Sequence, residues 1–209
     1  MRIKEPQDLL LEELRDIQSA EKQLQRALPR MSKQVESEEF QSLLEERQDQ
    51  SQRLIEQIDQ AFEQLSASKG RKKNQAAEGL LEEANEVVEQ IEEPMLRDAA
   101  LVGAVQKLTH YCLAAWGTSR AMAEAFGQDQ IAQAMQKAVE EGKQHDQRMT
   151  ELAEQQLYPA ILKGDTEGAE PRSRGSRAGS KSRSSEESSS REGRQQTSSG
   201  GGQQGGGRR

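Results

Sequence analysis

A chain of 209 residues has room for one domain and some flanking sequence, and 32% hydrophobic against 31% charged residues is too polar for a chain packed along its whole length. The net charge of −7 argues against nonspecific nucleic-acid binding by the folded part, and a lone cysteine excludes an intrachain disulfide and implies no oxidising compartment. No apolar run approaches the ~20 residues of a membrane span, and the N-terminus, MRIKEPQDLLLEELRD, is too charged for a signal peptide, so the expected location is the cytoplasm.

Four long segments carry helical periodicity. The first is expected to start at Asp8, a plausible N-cap after Pro6. Its apolar stripe is Leu10, Leu14, Ile17, Glu21, Leu24 and Leu28, and Pro29 is expected to kink or end it, although Met31 and Val35 keep the phase. The second runs from about Glu38 to Leu65 with the stripe Phe40, Leu43, Arg47, Gln50, Leu54, Ile58, Ala61 and Leu65. SASKGRKKN, residues 66–74, reads as a basic surface loop. A shorter helix over about 75–90 presents Leu80, Leu81, Ala84, Val87 and Val88, and Pro94 follows it. The third long helix, about Met95 to Phe126, places Leu101, Val105, Leu108, Cys112, Ala115, Ser119, Met122 and Phe126 in phase, with Gly127 as a helix-stopping residue. Asp129 can open the fourth, whose stripe is Ile131, Ala134, Ala138, Glu141, His145, Met149 and Leu152, and Tyr158-Pro159 is expected to close it.

No segment alternates with period two, so the fold class is all-α: a four-helix bundle over residues 1–163. The short segment 75–90 fits a long crossover between two helical hairpins, as in ferritin-like topologies. Residues 164–209 are low-complexity and are expected to stay disordered. They carry nine basic and six acidic residues, leaving the bundle at about −10. With Arg spaced among Ser and Gly and no aromatics, this tail supports only weak, salt-sensitive nucleic-acid contact, and a solubilising role is the simpler reading.

Polar residues on inward stripes carry the candidate chemistry. Glu21 sits between Ile17 and Leu24, and a buried carboxylate needs a metal, a partner or a raised pKa. Arg47 on the second stripe offers the partner, in a buried salt bridge with no metal at all. Gln50 with Glu46, and His145 with Glu141, form i,i+4 pairs on one helix face each. Di-iron bundles instead use Glu-x-x-His, which is absent, so the metal signal is weak and an edge-facing histidine explains His145 as well. His110 lies near the Cys112 face. Cys112 reads as a small core residue, Met122, Met135 and Met149 as core filler, and the paired glutamates as solvated faces.

Several local sequences carry a resemblance. DLLLEELRDIQSAEKQLQRALPRM, LEERQDQSQRLIEQIDQAFEQL, AAEGLLEEANEVVE, RDAALVGAVQKLTHYCLAAWGTSRAMAEAFG and HDQRMTELAEQQLYPA follow, in order, the helices of the YciE/YciF ferritin-like family of bacterial stress-associated proteins. The chain resembles that family over about residues 5–160. The resemblance implies a ferritin-like fold, homodimerisation and a di-metal centre. On it, Glu21 matches the inward carboxylate of the first helix, and Glu46 and Gln50 match the second-helix positions. The third helix has Thr109, His110, Tyr111 and Cys112 where the family reads Glu-His-Tyr-Glu. Gly142 stands at a family Glu, and Asp146 matches a family Asp.

Three carboxylates are thus missing from the expected centre. The metal candidates that remain are Glu21, Glu46, Gln50, Glu141, His145 and Asp146, with Glu141 and His145 as potential substitutes and iron as the implied metal. A complete di-iron centre needs roughly four carboxylates to balance two cations. The expectation is therefore one metal or none, in a stress-associated bundle that is non-enzymatic or has a degraded metal site. The competing function is an iron-handling oxidase or ferroxidase.

Overall fold

In the computed structural model, residues 3–167 are described. They form α1 (Pro6–Ser32), α2 (Glu38–Gln64), α3 (Gln75–Gln90), α4 (Pro94–Ala125) and α5 (Asp129–Leu152), then a π-helical turn (Ala153–Leu157) and α6 (Tyr158–Glu167). There is no strand among the described residues. Of residues 164–209 only 164–167 are described, as part of α6, and the expectation for the rest falls outside the described residues.

Side-chain pairs give the directions of the helices. Gln18 meets Asp59 and Gln25 meets Gln52, so α1 and α2 are an antiparallel hairpin. Gln106 donates to Thr150 while Trp116 lies against Gly142, which makes α4 and α5 a second one. The hairpins dock with α2 antiparallel to α5, through Glu46–Arg148 and Gln64–Gln130. α1 runs opposite to α4, with Arg97 on the Gln34 carbonyl and Trp116 on Glu21. α2 and α4 are therefore parallel, and the chain must return along a bundle whose 27-residue α2 is about 40 Å long. Residues 65–93, with α3 packed on α1 and α4, make that return.

The expected stripes form the core. Leu10, Leu14, Ile17, Leu24 and Leu28 of α1 pack with Phe40, Leu43, Leu54 and Ile58 of α2 and with Leu101, Val105 and Leu108 of α4. The helix ends differ from expectation in three places, each for a local reason. α1 opens at Pro6, whose missing N–H costs nothing in a first turn. Asp8 sits inside the helix, accepting from the Lys4 and Glu5 N–H groups at 3.0 and 3.2 Å. Pro29 does not end α1, which continues to Ser32 and buries Met31 on its core face. Tyr158-Pro159 does not end the last helix either. The π turn resets the hydrogen-bond ladder, so Pro159 falls in the first turn of α6, while Ala153 and Leu157 stay in the core.

Candidate functional site

The polar centre of the bundle lies where Glu21 of α1 faces Arg47 and Ser51 of α2 and Cys112 and Trp116 of α4. All five are at most 1% exposed. Arg47 Nη2 donates to Glu21 Oε1 at 3.1 Å and Oε2 at 3.0 Å. Ser51 Oγ accepts from Arg47 Nη1 at 2.7 Å and donates to Glu21 Oε2 at 2.8 Å. Trp116 Nε1 donates to Glu21 Oε1 at 3.2 Å. The carboxylate thus accepts four hydrogen bonds, which is about its full lone-pair capacity. The guanidinium carbon stands 5.1 Å from the Trp116 ring centroid, and Nη2 lies 3.5 Å from Cys112 Sγ. Arg47 Nε has no hydrogen-bond acceptor among the described residues.

Electrostatics follow from this dry enclosure. Burial pushes the Cys112 thiol far up, and the Glu21 charge beside it adds to that, so Cys112 stays a thiol. Burial, the largest influence, opposes the charge on Arg47, but the Glu21 carboxylate and the Cys112 sulfur together outweigh it and hold the guanidinium above its ordinary value.

Trp116 and Gly142 explain each other. A Cβ at Gly142 would lie 2.6 Å from Trp116 Cζ3 and 3.0 Å from Leu113 Cδ2. The indole occupies the space that a side chain on α5 would need. Thr109 turns its hydroxyl back to the Val105 carbonyl at 3.1 Å, satisfied within its own helix.

The six sequence candidates do not come together as a metal centre. Glu21 spends its charge on Arg47, the salt-bridge alternative. Glu46 pairs with Arg148, which holds it below the usual carboxylate range. Glu141, expected inward, is at the surface because Arg53 at 3.2 Å and Lys137 at 3.7 Å draw it out. Gln50 donates to the Ala138 carbonyl at 3.2 Å. Asp146 lies 3.1 Å from His110, which is exposed and turned away from Cys112. His145 is buried with Nε2 2.9 Å from the Leu43 carbonyl; a carbonyl only accepts, so Nε2 carries the proton. Burial depresses its imidazole pKa, the Leu43 hydrogen bond opposing and Arg47 adding to the effect.

Glu46, Gln50, Glu141 and His145 do share a surface cleft of about 240 Å³ between α2 and α5, but Arg53 and Arg148 line it too. Among the described residues no group of three or more His, Cys, Asp or Glu could hold a metal ion. The donor set at the centre does not fit a di-metal group: one carboxylate, already saturated, faces a fixed cation. Sequence reasoning missed Ser51 and Trp116. Both lie four residues beyond stripe positions, Arg47 and Cys112, which is the signal that places them on the same inner faces.

Residues 5–160 match the model of the family described as Domain of unknown function (DUF892). The chain belongs to the DUF892 family. Protein YciF of Escherichia coli K12 is 40% identical over 154 residues, covering 73% of this chain and 93% of that protein. The crystal structure of the E. coli stress protein YciF superposes with a TM-score of 0.69 at 38% identity, over 72% of this chain and 96% of that one. YcfI from Rhodopseudomonas palustris, given only provisionally as a structural protein, superposes with a TM-score of 0.67 at 34% identity, over 71% and 94%. The helical fold is shared with both solved structures over the aligned part of the chain. No helix among the described residues is long and apolar enough to cross a membrane.

Proposed function

We propose that this DUF892 protein is a cytoplasmic, non-enzymatic, ferritin-like bundle of the stress response, acting by structure or interaction, in which an internal ion pair stands where a metal centre would be. The observation that carries this reading is the saturated Glu21 carboxylate. Its neutralising charge comes from Arg47 and its remaining lone pairs are spent on Ser51 and Trp116. A metal would have to displace the guanidinium into a dry core at a cost of several kcal/mol. The stress assignment rests on the likeness to YciF, whose crystal structure is described as that of a stress protein.

Elemental analysis of the purified chain, followed by anaerobic iron titration, tests it. Substoichiometric metal and no oxygen-dependent oxidation are expected. Two irons per chain with oxygen-dependent oxidation would overturn the reading.

Homodimerisation belongs to the same proposal. α4 carries apolar residues around its circumference, and its outer face presents Leu113, Gly117, Ala121, Met122 and Phe126 in a shallow depression. A helix apolar on all sides expects cover on all sides, and a second copy supplies it. Ala121→Glu is expected to convert a dimer to a monomer by analytical ultracentrifugation; an unchanged dimer would refute this interface.

A further inference from the structure

In a chain of net charge −7, residues 22–35 and 66–77 each carry four cations and no carboxylate. The fold brings these two segments together. The loop between α2 and α3 is pinned on α1 at both ends. Arg15 donates twice to the Ser68 carbonyl, at 2.8 and 3.2 Å. At the far end the Asn74 N–H donates to Ser19 Oγ at 2.9 Å, and Gln23 Nε2 donates to the Asn74 carbonyl at 3.0 Å. Gly70 takes φ +67° and lies so close to Arg15 that a Cβ there would stand 3.1 Å from Nε. Glycine lets the loop close down on the helix.

The result is a cleft of about 380 Å³ walled by Lys22 and Arg26 on one side and by the loop cations on the other. Three of those cations are partly neutralised at the rim: Lys69 by Asp59, Lys72 by Glu12 and Asp16, and Lys73 by Glu78. Lys22, Arg26 and Arg71 have no partner among the described residues. Lys22 and Arg26 are four residues apart, about 6 Å along one face of α1. Uncompensated like charges around one concavity are costly unless an anion neutralises them. Arg provides paired donors for phosphate oxygens and Lys a compact charge. No aromatic side chain lines the cleft, so nothing there stacks a base.

We infer that this cleft binds a short phosphoanhydride chain, of the kind carried by a nucleoside triphosphate or by inorganic tripolyphosphate, and reads the phosphates alone. The loop is held in place before the ligand arrives, so little ordering is spent on binding.

Isothermal titration of the full chain with tripolyphosphate, ATP, AMP and a short DNA duplex tests this. Tripolyphosphate and ATP are expected to bind alike, and AMP much more weakly, with affinity falling as salt rises. The triple variant Lys22→Gln, Arg26→Gln, Arg71→Gln is expected to weaken tripolyphosphate binding roughly tenfold or more. Arg71→Gln alone, in the loop and outside any helix, is expected to weaken it several-fold. A control removing Lys107, Lys137 and Lys143 by Gln is expected to change little. Equal losses in the cleft and control variants would overturn the assignment. So would ATP binding far tighter than tripolyphosphate, or a cleft-dependent preference for the DNA duplex.

Discussion

Removing Arg47 without removing Glu21 isolates the central ion pair. In Arg47→Met the Glu21 carboxylate, 0% exposed in the native protein, loses two of its four hydrogen bonds and the counter-charge that Arg47 supplies. Ser51 loses the N–H that orients it. Breaking a buried pair from one side costs about 3–5 kcal/mol, which for a domain of this size lowers the melting temperature by on the order of 10 °C. Glu21→Leu strands the guanidinium in the same way and is expected to cost a similar amount. In the double variant Glu21→Leu, Arg47→Met both charges are gone. What remains is an unpaired Trp116 Nε1–H, at about 1–3 kcal/mol, since the freed Ser51 hydroxyl can turn back to the carbonyl four residues before it in its own helix. The double variant is therefore expected to be more stable than either single one. Trp116, the one tryptophan in the chain, sits in the network and reports urea unfolding by its fluorescence, with circular dichroism as the second probe. If the double variant loses as much as the two single losses added, the side chains are not coupled and the central pair is not the organising feature of the core.

Gly142→Ala, ordinarily favourable in a helix by about 1 kcal/mol, is expected to destabilise by forcing the Trp116 ring aside at about 1–3 kcal/mol. In a Trp116→Leu background the same substitution should become favourable again, as urea midpoints would reveal. His145 is buried with its pKa depressed chiefly by desolvation. The unfolded chain therefore takes up the proton first, and stability should be full above about pH 6.5 and fall as the pH drops below it; His145→Gln should flatten that fall, and an unchanged slope between pH 7 and 5.5 would exclude His145 as its source. Cys112, 1% exposed with its thiol pKa raised by burial, should resist a thiol reagent in the native state and react as soon as urea unfolds the bundle.

The bundle was legible because burial on one face of a helix leaves a period of 3.6 in the chain. Every apolar residue from Leu10 to Leu28 on the expected α1 stripe is buried. The same rule failed for α4, where apolar side chains run all round. There the expected stripe took Ala115 and Met122 at the rim and passed over Trp116, which is fully buried. Pro29 and Pro159 misled for a different reason: a missing N–H is a local cost, and burial of Met31 in one case and a π turn in the other offset it. Asp98 was passed over as well, although it lies three residues before Leu101 and so in phase with the α4 stripe. It is 1% exposed and accepts from the Ser37 N–H at 2.9 Å and the Glu36 N–H at 3.0 Å, tying the α1–α2 connection to α4.

The polar centre shows what spacing can and cannot reveal. Glu21 and Arg47 were both visible as interruptions of apolar stripes, and a salt bridge between them was one of two readings. In the structure the two form that salt bridge, and volume and charge together fit it. Thr109, Cys112 and Gly142 stand where the family resemblance puts carboxylates, so among the described residues Glu21 is the one carboxylate at the centre. One guanidinium neutralises it; two divalent ions would leave the core strongly positive. Gly142 then makes room for Trp116, whose ring covers the guanidinium and whose N–H uses the last lone pair of Glu21. Restoring a carboxylate at position 142 alone would meet that ring, and restoring one at 112 alone would bring a second negative charge to a single arginine. Each such carboxylate is thus unfavourable on its own, by steric overlap in one case and charge in the other.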